Sequence, residues 1–227
     1  MTLLVKICGL SAPESVDAAL DAGADMVGFV FFAASPRHVG LDVARALGAR
    51  VAGRACKVAL SVDADDAALE AGIAALKPDL LQLHGRETPD RVAAVKSRFR
   101  LPVMKAIAVA ARSDLAIVPA YAKVADRLLF DARAPRDATR PGGLGTPFDW
   151  RLLKDIDLAI PFMLSGGLSA DNVGEALRIT RAPGVDVSSG VERAPGVKDA
   201  GKICAFVAAA RAAAEKLAPA DRIASGA

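Results

Sequence analysis

The sequence predicts an α/β fold, a single-domain (β/α)8 TIM barrel with eight parallel strands. A chain of 227 residues is short enough to close around one hydrophobic core. Its apolar runs recur about every 26 residues, which is the combined length of one strand, one helix and two loops. An open doubly wound sheet usually carries Gly-x-Gly-x-x-Gly after its first strand, and that motif is missing from this position.

Eight apolar runs are the predicted strands, and amphipathic stretches separate them. A run such as residues 26–32 has little polar alternation, which is typical of parallel strands covered on both faces. The runs begin near Leu3, Met26, Lys57, Leu80, Val103, Arg127, Ile160 and Val185.

The helix signals agree with this order. Ser11 is predicted as the N-cap of the first helix, with Glu14 completing a capping box and Gly23 placed where the helix should end. An alanine-rich stretch predicts a last helix over 197–216. We therefore predict a barrel over residues 1–216 and a disordered tail over 217–227, where no apolar period continues.

Composition excludes several classes of partner. A net charge of +3 and an aromatic share of 4% argue against binding to nucleic acid. The most apolar stretch, residues 26–34, is too short to span a membrane, and Lys6 interrupts any signal-peptide core. Three widely spaced cysteines predict neither a disulfide framework nor a metal site. We expect a cytoplasmic chain without membrane contact, either a monomer or a homodimer.

In a barrel of this kind, chemistry belongs at the carboxyl ends of the strands. Cys8 ends the first strand and is either a packed small hydrophobe or a thiolate acting as base or nucleophile. Lys6 lies on the same strand face, and a nearby cation would lower the pKa of the thiol. Cys56 and Cys204 are expected to be structural.

Two charged residues follow other strands. Asp131 ends the sixth run and is either a loop cap or a carboxyl whose pKa is raised by burial, which suits a general acid. Arg37 follows Ser35 and Pro36 and is either a solvated loop charge or the donor to a substrate carboxylate. His38 and His84 are each either surface residues or hydrogen-bond donors at the barrel mouth.

Glycine and serine loops follow the last two predicted strands, where barrels commonly bind phosphate through loop N–H groups. A phosphorylated small molecule is therefore the expected substrate. A third loop, residues 142–145, follows a charged stretch and is the candidate for a mobile lid. The predicted phosphate-binding residues are Gly166, Gly167, Ser188, Ser189 and Gly190.

An ordered set of motifs across nearly the whole chain resembles the phosphoribosylanthranilate isomerase family. The motifs are Lys6-Ile7-Cys8-Gly9, Gly28-Phe29-Val30-Phe31, Ser35-Pro36-Arg37, Leu81-Gln82-Leu83-His84-Gly85, Phe130-Asp131, Phe148-Asp149-Trp150, Ser165-Gly166-Gly167-Leu168 and Asp186-Val187-Ser188-Ser189-Gly190-Val191-Glu192. The resemblance implies a (β/α)8 enzyme of tryptophan biosynthesis. Such an enzyme converts N-(5-phosphoribosyl)anthranilate to 1-(2-carboxyphenylamino)-1-deoxyribulose 5-phosphate without metal or organic cofactor.

The resemblance also implies roles for individual residues. Cys8 matches the general base of the family, Asp131 its general acid and Arg37 the residue facing the anthranilate carboxylate. The glycine loops match its phosphate cradle. Further substrate contacts are expected at Lys6, His84, Gly145 and Asp186.

The sequence departs from the usual family pattern at a few positions. Residues 58–61 replace a more common Gly-Val-Phe type of strand, Leu144 replaces a smaller residue, and Ser165 stands where alanine is frequent. None of these departures removes a chemical group that the reaction needs.

Two other functions compete with this interpretation. Indole-3-glycerol-phosphate synthase, a different phosphate-binding barrel enzyme of the same pathway, would need a lysine and a glutamate as acid and base at strand ends, whereas the first strand here ends in Cys8. A non-enzymatic barrel that binds a phosphorylated ligand would keep the glycine loops without needing Cys8 and Asp131. A turnover assay separates the binding protein from the enzyme.

Overall fold

The computed structural model describes residues 3–134, 142, 145, 147–154 and 156–217. Within these ranges, eight parallel strands pair in chain order and close into one barrel, which confirms the predicted fold class. Each strand begins within two residues of its predicted start. The strands are β1 (Leu4–Cys8), β2 (Met26–Phe31), β3 (Cys56–Ser61), β4 (Leu80–Leu83), β5 (Val103–Val109), β6 (Arg127–Ala132), β7 (Phe162–Leu164) and β8 (Gly184–Val187).

Helices cover the outside of the barrel. They are α1 (Pro13–Asp21), α2 (Leu41–Val51), α3 (Asp66–Leu76), α4 (Pro89–Phe99), α5 (Val118–Ala122), α6 (Val173–Thr180) and α7 (Ala200–Leu217). Between β6 and β7, the described residues contain a short 3-10 helix, Trp150–Leu153, rather than the expected α-helix. The prediction of one α-helix in every unit is therefore not met in this part of the structure.

The start of α1 differs from the prediction. Ala12, not Ser11, is its N-cap, and the Ser15 hydroxyl donates to the Ala12 carbonyl oxygen at 2.7 Å and accepts from the Ala12 N–H at 3.3 Å. The Ser11 and Glu14 capping box is therefore wrong, because Pro13 already takes the first helical position. The predicted end is confirmed, since the chain leaves the helix at Ala22 and Gly23.

The predicted start of the last helix is also wrong. Residues 197–198 form a short strand, β10 (Val197–Lys198), which pairs antiparallel with β9 (Glu192–Ala194). Helix α7 begins at Ala200 instead and ends at Leu217. The predicted tail beyond this helix, residues 218–227, lies outside the described residues.

The inside of the barrel is divided into an apolar floor and a polar mouth. Met26, Val58, Met104, Leu129 and Met163 form a buried cluster that fills the floor. Alternate side chains on each strand point inward, so the next inward positions toward the carboxyl ends are free to carry polar groups. The mouth is therefore the end at which chemistry can take place.

Candidate active site

A cavity opens at the carboxyl ends of the strands, and most of the predicted site residues line it. Lys6 lies fully buried beneath the cavity, and Gly190 lies behind its wall. His38 is exposed and outside it. The predicted residues that line the cavity are Cys8, Arg37, His84, Asp131, Gly145, Gly166, Gly167, Asp186, Ser188 and Ser189.

Lys6 and Asp186 form a buried ion pair next to Cys8. They are direct neighbours on β1 and β8, and the Lys6 Nζ lies 2.8 Å from the Asp186 Oδ1. The Ser165 hydroxyl donates to the other oxygen of Asp186 at 3.2 Å. Burial alone would lower the pKa of Lys6, but the Asp186 carboxylate and the Cys8 sulfur outweigh it and raise that pKa. Lys6 is therefore a fixed positive charge under the cavity.

The Cys8 thiol is controlled more by burial than by Lys6. Burial raises the pKa of Cys8 above its ordinary value, while the attraction of Lys6 acts in the opposite direction and is the smaller effect. The expectation that Lys6 lowers the thiol pKa is therefore wrong in its net direction. Burial thus favours the neutral thiol of Cys8 over the thiolate.

Asp131 is held by two hydrogen bonds at the end of β6. Its Oδ1 accepts from the Ala132 N–H at 2.9 Å, and its Oδ2 lies 3.1 Å from the His84 Nε2. The other ring nitrogen, Nδ1 of His84, lies 2.9 Å from the side-chain Nε2 of Gln82. Gln82 was not among the predicted site residues, although a glutamine in the middle of an apolar run is a signal for one.

Arg37 belongs to a buried cluster of charges. Its Nε and Nη2 donate to the two carboxylate oxygens of Glu192 at 2.7 and 2.9 Å. Lys198 donates to Glu192 Oε1 at 2.8 Å and to the carbonyl oxygen of Ser188 at 2.9 Å. Burial would raise the pKa of Glu192, but the two cations outweigh it and lower that pKa. Neither Glu192 nor Lys198 was predicted as a site residue. Lys198 was assigned to the last helix, whose start was predicted too early in the sequence.

One wall of the cavity is apolar. Val30 and Phe32 line it from β2 and the following loop, and Leu60 and Val62 line it from β3 and its loop. Cys8 packs in the same cluster as Val30 and Leu60. The cavity thus offers an apolar face beside Arg37, with polar groups across from it.

The glycine loops shape the remaining wall. Gly166 has a φ of +85°, and a Cβ atom there would lie 2.5 Å from the Ala132 nitrogen, so no other residue fits. Gly190 is required for packing, because a Cβ atom would lie 1.9 Å from the Leu168 carbonyl oxygen. Gly142 and Gly145 line the cavity, while residues 143 and 144, on which the lid prediction also depends, lie outside the described residues.

The described ranges contain no group of three or more His, Cys, Asp and Glu side chains that could hold a metal ion. No helix in the same ranges is both long and apolar enough to cross a membrane.

Comparison with known proteins identifies the family. The family model described as N-(5'-phosphoribosyl)anthranilate (PRA) isomerase matches residues 5–209. The chain belongs to the phosphoribosylanthranilate isomerase family. A member from Bradyrhizobium sp. (strain ORS 278) is 68% identical over 215 residues, covering 95% of this chain and 98% of that one. The resemblance predicted from the motifs is therefore confirmed.

Solved structures of phosphoribosylanthranilate isomerases have the same fold. The Thermotoga maritima enzyme matches with a TM-score of 0.84 and 32% identity, covering 93% of this chain and 100% of that one. A phosphoribosylanthranilate isomerase in complex with reduced 1-(o-carboxyphenylamino)-1-deoxyribulose 5-phosphate matches with a TM-score of 0.79 and 30% identity, with the same coverage.

Proposed function

We propose that this isomerase rearranges N-(5-phosphoribosyl)anthranilate to 1-(2-carboxyphenylamino)-1-deoxyribulose 5-phosphate, with Cys8 as general base and Asp131 as general acid. The observation that carries the proposal is that both side chains line one cavity, from β1 and β6. An aldose-ketose rearrangement of this kind needs one proton donor and one acceptor near the same sugar. The family places the reaction in tryptophan biosynthesis.

The walls of the cavity support one orientation of the substrate. Its phosphate would lie on the loops after β7 and β8, where Gly166, Gly167, Ser188 and Ser189 line the cavity and Gly190 shapes the wall behind them. Its aromatic ring would pack on the apolar wall, with the carboxylate next to Arg37. The ribose would then lie between Cys8 and Asp131, which removes the entropic cost of bringing the reacting groups together.

The first chemical step is assigned to Asp131. Its carboxyl would protonate the ring oxygen of the ribose, so that the C1′–O bond breaks and a protonated Schiff base forms on the anilino nitrogen. His84 holds the Oδ2 atom and the Ala132 N–H holds the Oδ1 atom, which keeps the carboxyl oriented toward the cavity.

The second step is assigned to Cys8. The thiolate would remove the C2′ proton, and the electron pair of that bond would neutralise the iminium to give an enolamine, which tautomerises to the ketone. Because burial favours the neutral thiol, the anion depends on the nearby positive charges of Lys6 and, at longer range, Lys198. Lys6, which is fully buried and outside the cavity lining, thus acts through Cys8, and Asp186 holds Lys6 in place although its own charge raises the pKa of the thiol.

A turnover assay tests this function. The fluorescence of anthranilate changes when the substrate is consumed, and we expect catalytic loss of the substrate with purified protein. The Cys8→Ser and Asp131→Asn double variant is the matched control and should bind the substrate without consuming it. Tight binding without turnover by the unaltered protein would instead support the phospholigand-binding barrel.

A cytoplasmic location and a small assembly, a monomer or a homodimer, are part of the same proposal. All three cysteines are free thiols in the structure, which suits a reducing compartment. One solved structure of the Thermotoga maritima relative contains mutually generated monomers of the dimeric enzyme, so that relative is dimeric and has also been obtained as a monomer.

A further inference from the structure

We propose that Lys105 and Glu87, a buried ion pair outside the cavity, are positioning residues that hold His84 within hydrogen-bonding distance of Asp131. The inference rests on the proposed role of Asp131 as general acid. It assigns a function to two buried charges that the proposed mechanism does not use. Neither side chain lines the cavity, so each acts on the reaction through His84.

Lys105 lies between the barrel and the helices that cover it. Its neighbours on β5, Met104 and Ala106, pack in the apolar floor, and side chains alternate along a strand, so Lys105 points outward. Its side chain is 2% exposed, and its Nζ lies 3.0 Å from Oε2 of Glu87, whose side chain is 3% exposed. The same Nζ lies 5.7 Å from the centre of the Tyr121 ring on α5. Burial of two charges is costly unless further hydrogen bonds replace those lost to water.

The further hydrogen bonds go to the main chain on both sides of His84. The ammonium group of Lys105 donates to the carbonyl oxygen of Leu83 at 3.2 Å and to that of Gly85 at 2.8 Å. The Glu87 carboxylate accepts from the Gly85 N–H, at 2.9 Å to Oε2 and 3.2 Å to Oε1. The residues directly before and after His84 are therefore both attached to the ion pair.

Glu87 is itself fixed by two other parts of the fold. Its Oε1 accepts from the Asp63 N–H, in the loop after β3, at 3.0 Å. Its main-chain carbonyl oxygen accepts from the Tyr121 hydroxyl on α5 at 2.8 Å. The loop that follows β4 is thus held between the loop after β3 and α5.

The position of His84 connects this loop to the site. The His84 Nε2 lies 3.1 Å from Oδ2 of Asp131, which is near the upper end of the range for hydrogen bonds between nitrogen and oxygen. A shift of about 1 Å in the loop would break this contact, whichever of the two atoms carries the proton. Misplacement by about 1 Å can lower the rate of an enzyme by roughly a hundredfold.

Stability alone does not require charges at these two positions. Replacing a buried ion pair with well-packed apolar side chains is often neutral or stabilising. Apolar side chains, however, would leave the main-chain groups next to His84 without partners, and buried main-chain groups are almost always paired. Lys105 and Glu87 are therefore explained by the loop conformation that they fix.

Arg211 on α7 supplies a matched control. It binds the same set of partners as Lys105, since it donates to the carbonyl oxygens of Leu3 and Gly23 and to Oδ2 of Asp25. These partners directly precede β1 and β2, at the end of the barrel opposite the cavity. Arg211→Met should lower stability but leave kcat within roughly twofold of the wild type.

The test variant combines Lys105→Met with Glu87→Gln, so that neither charge is left buried without its partner. We expect kcat to fall roughly tenfold or more while KM stays within roughly threefold, because the phosphate and the carboxylate are bound at other strands. A folded variant whose kcat matches that of Arg211→Met would overturn the proposal.

Tyr121→Phe is a milder variant that keeps both charges and loses only the hydroxyl contact to Glu87. It should lower kcat by roughly threefold without changing KM. If the test variant does not fold, this measurement decides, and an unchanged kcat in Tyr121→Phe would then overturn the proposal.

A double-mutant cycle with His84 shows whether the ion pair acts through this residue. In a His84→Ala background the contact to Asp131 is already lost, so the Lys105→Met and Glu87→Gln changes should lower kcat by less than about twofold more. General loosening of the fold would instead lower kcat by the same factor in both backgrounds, and that result would contradict the proposal.

Crystal structures of the wild type and the test variant give a readout that needs no turnover. We expect the His84 Nε2 of the variant to lie beyond hydrogen-bonding distance of the Asp131 Oδ2, while the Lys6–Asp186 ion pair stays as in the wild type. An unchanged distance between His84 and Asp131 would overturn the positioning role. A wild type without turnover would contradict the proposed function instead, and the two crystal structures would still decide on the positioning role.

Discussion

The two sides of the cavity hold their titratable groups by different means. On the thiol side, Lys6, Cys8 and Asp186 are buried together, and fixed charges and desolvation set the form of Cys8. On the carboxyl side, Gln82, His84 and Asp131 are joined by hydrogen bonds, and the described residues include no lysine or arginine ion pair to Asp131.

This difference suits the two proposed roles. A base must keep an anion available against the cost of burial, and a permanent cation such as Lys6 supplies the compensating charge. A general acid must release and regain a proton in every turnover, and a chain of groups that both donate and accept can adjust to each state. One cavity thus combines a fixed electrostatic site with an adjustable one.

The largest expected effect comes from removing the thiol. Cys8→Ser should fold normally but lose roughly a thousandfold or more in kcat, because a buried hydroxyl cannot supply the anion near neutral pH. Steady-state kinetics on the folded variant checks this. A kcat near that of the wild type would mean that Cys8 is a packing residue and that the thiol side has no catalytic function.

Removing Arg37 should affect binding and stability together. Arg37→Ala loses a charge-assisted contact to the substrate, which corresponds to about 1.5–3 kcal/mol and a rise in KM of roughly ten- to a hundredfold. It also leaves Glu192 buried with only Lys198 as an observed cationic partner, so the free energy of unfolding should fall.

A double variant separates the two effects of Arg37. Arg37→Ala combined with Glu192→Gln leaves the buried Lys198 without its carboxylate partner, so the free energy of unfolding in urea titrations should fall further, whereas KM should stay as high as in Arg37→Ala. A KM that returns toward the wild-type value would show that Arg37 only supports the fold and that the substrate carboxylate is recognised elsewhere.

A smaller effect is expected in the titration of the thiol. Burial raises the pKa of Cys8, so its thiolate should form at a higher pH than that of an ordinary cysteine. The ultraviolet thiolate absorbance of the wild type minus that of Cys8→Ser isolates this group from Cys56, whose pKa burial also raises, to about 11. If the Cys8 thiolate already forms below the ordinary thiol pKa, the attraction of Lys6 has a larger effect on the pKa of Cys8 than burial has, which would contradict the account.

The smallest effect should follow Ser165→Ala. The change removes one hydrogen bond to Asp186 and leaves the ion pair to Lys6 in place. The free energy of unfolding should fall by about 1 kcal/mol, and kcat should stay within roughly threefold. A larger fall in kcat would show that Lys6 alone does not fix Asp186 and that the thiol side depends on the serine.

The strands and the cavity residues were predictable because they depend on local patterns. The apolar runs predicted the start of every strand to within two residues. Because the carboxyl ends of all strands of such a barrel meet at one end, Cys8 and Asp131 were then expected to lie at the same mouth. The direction of the Cys8 pKa was not predictable, since it depends on how completely the fold buries the thiol. Lys198 was missed because two residues of a hairpin next to an alanine-rich helix have no distinct pattern of their own.

Gln82 shows the same limit in another way. Its position inside an apolar run marks it as unusual, but only the register of β4 against its neighbours places its amide on His84. Residues that act through another residue depend on such long-range placement, and sequence spacing carries little information about it.

The most direct test of the division between the two sides is the kinetics of Asp131→Asn. The amide keeps the size and the hydrogen-bonding capacity of the carboxyl but cannot deliver a proton, so kcat should fall by roughly two to four orders of magnitude. KM should stay close to that of the wild type, because the phosphate and the carboxylate are bound elsewhere. An Asp131→Asn enzyme that keeps more than about a tenth of the wild-type kcat would contradict the acid role and, with it, the account of the carboxyl side.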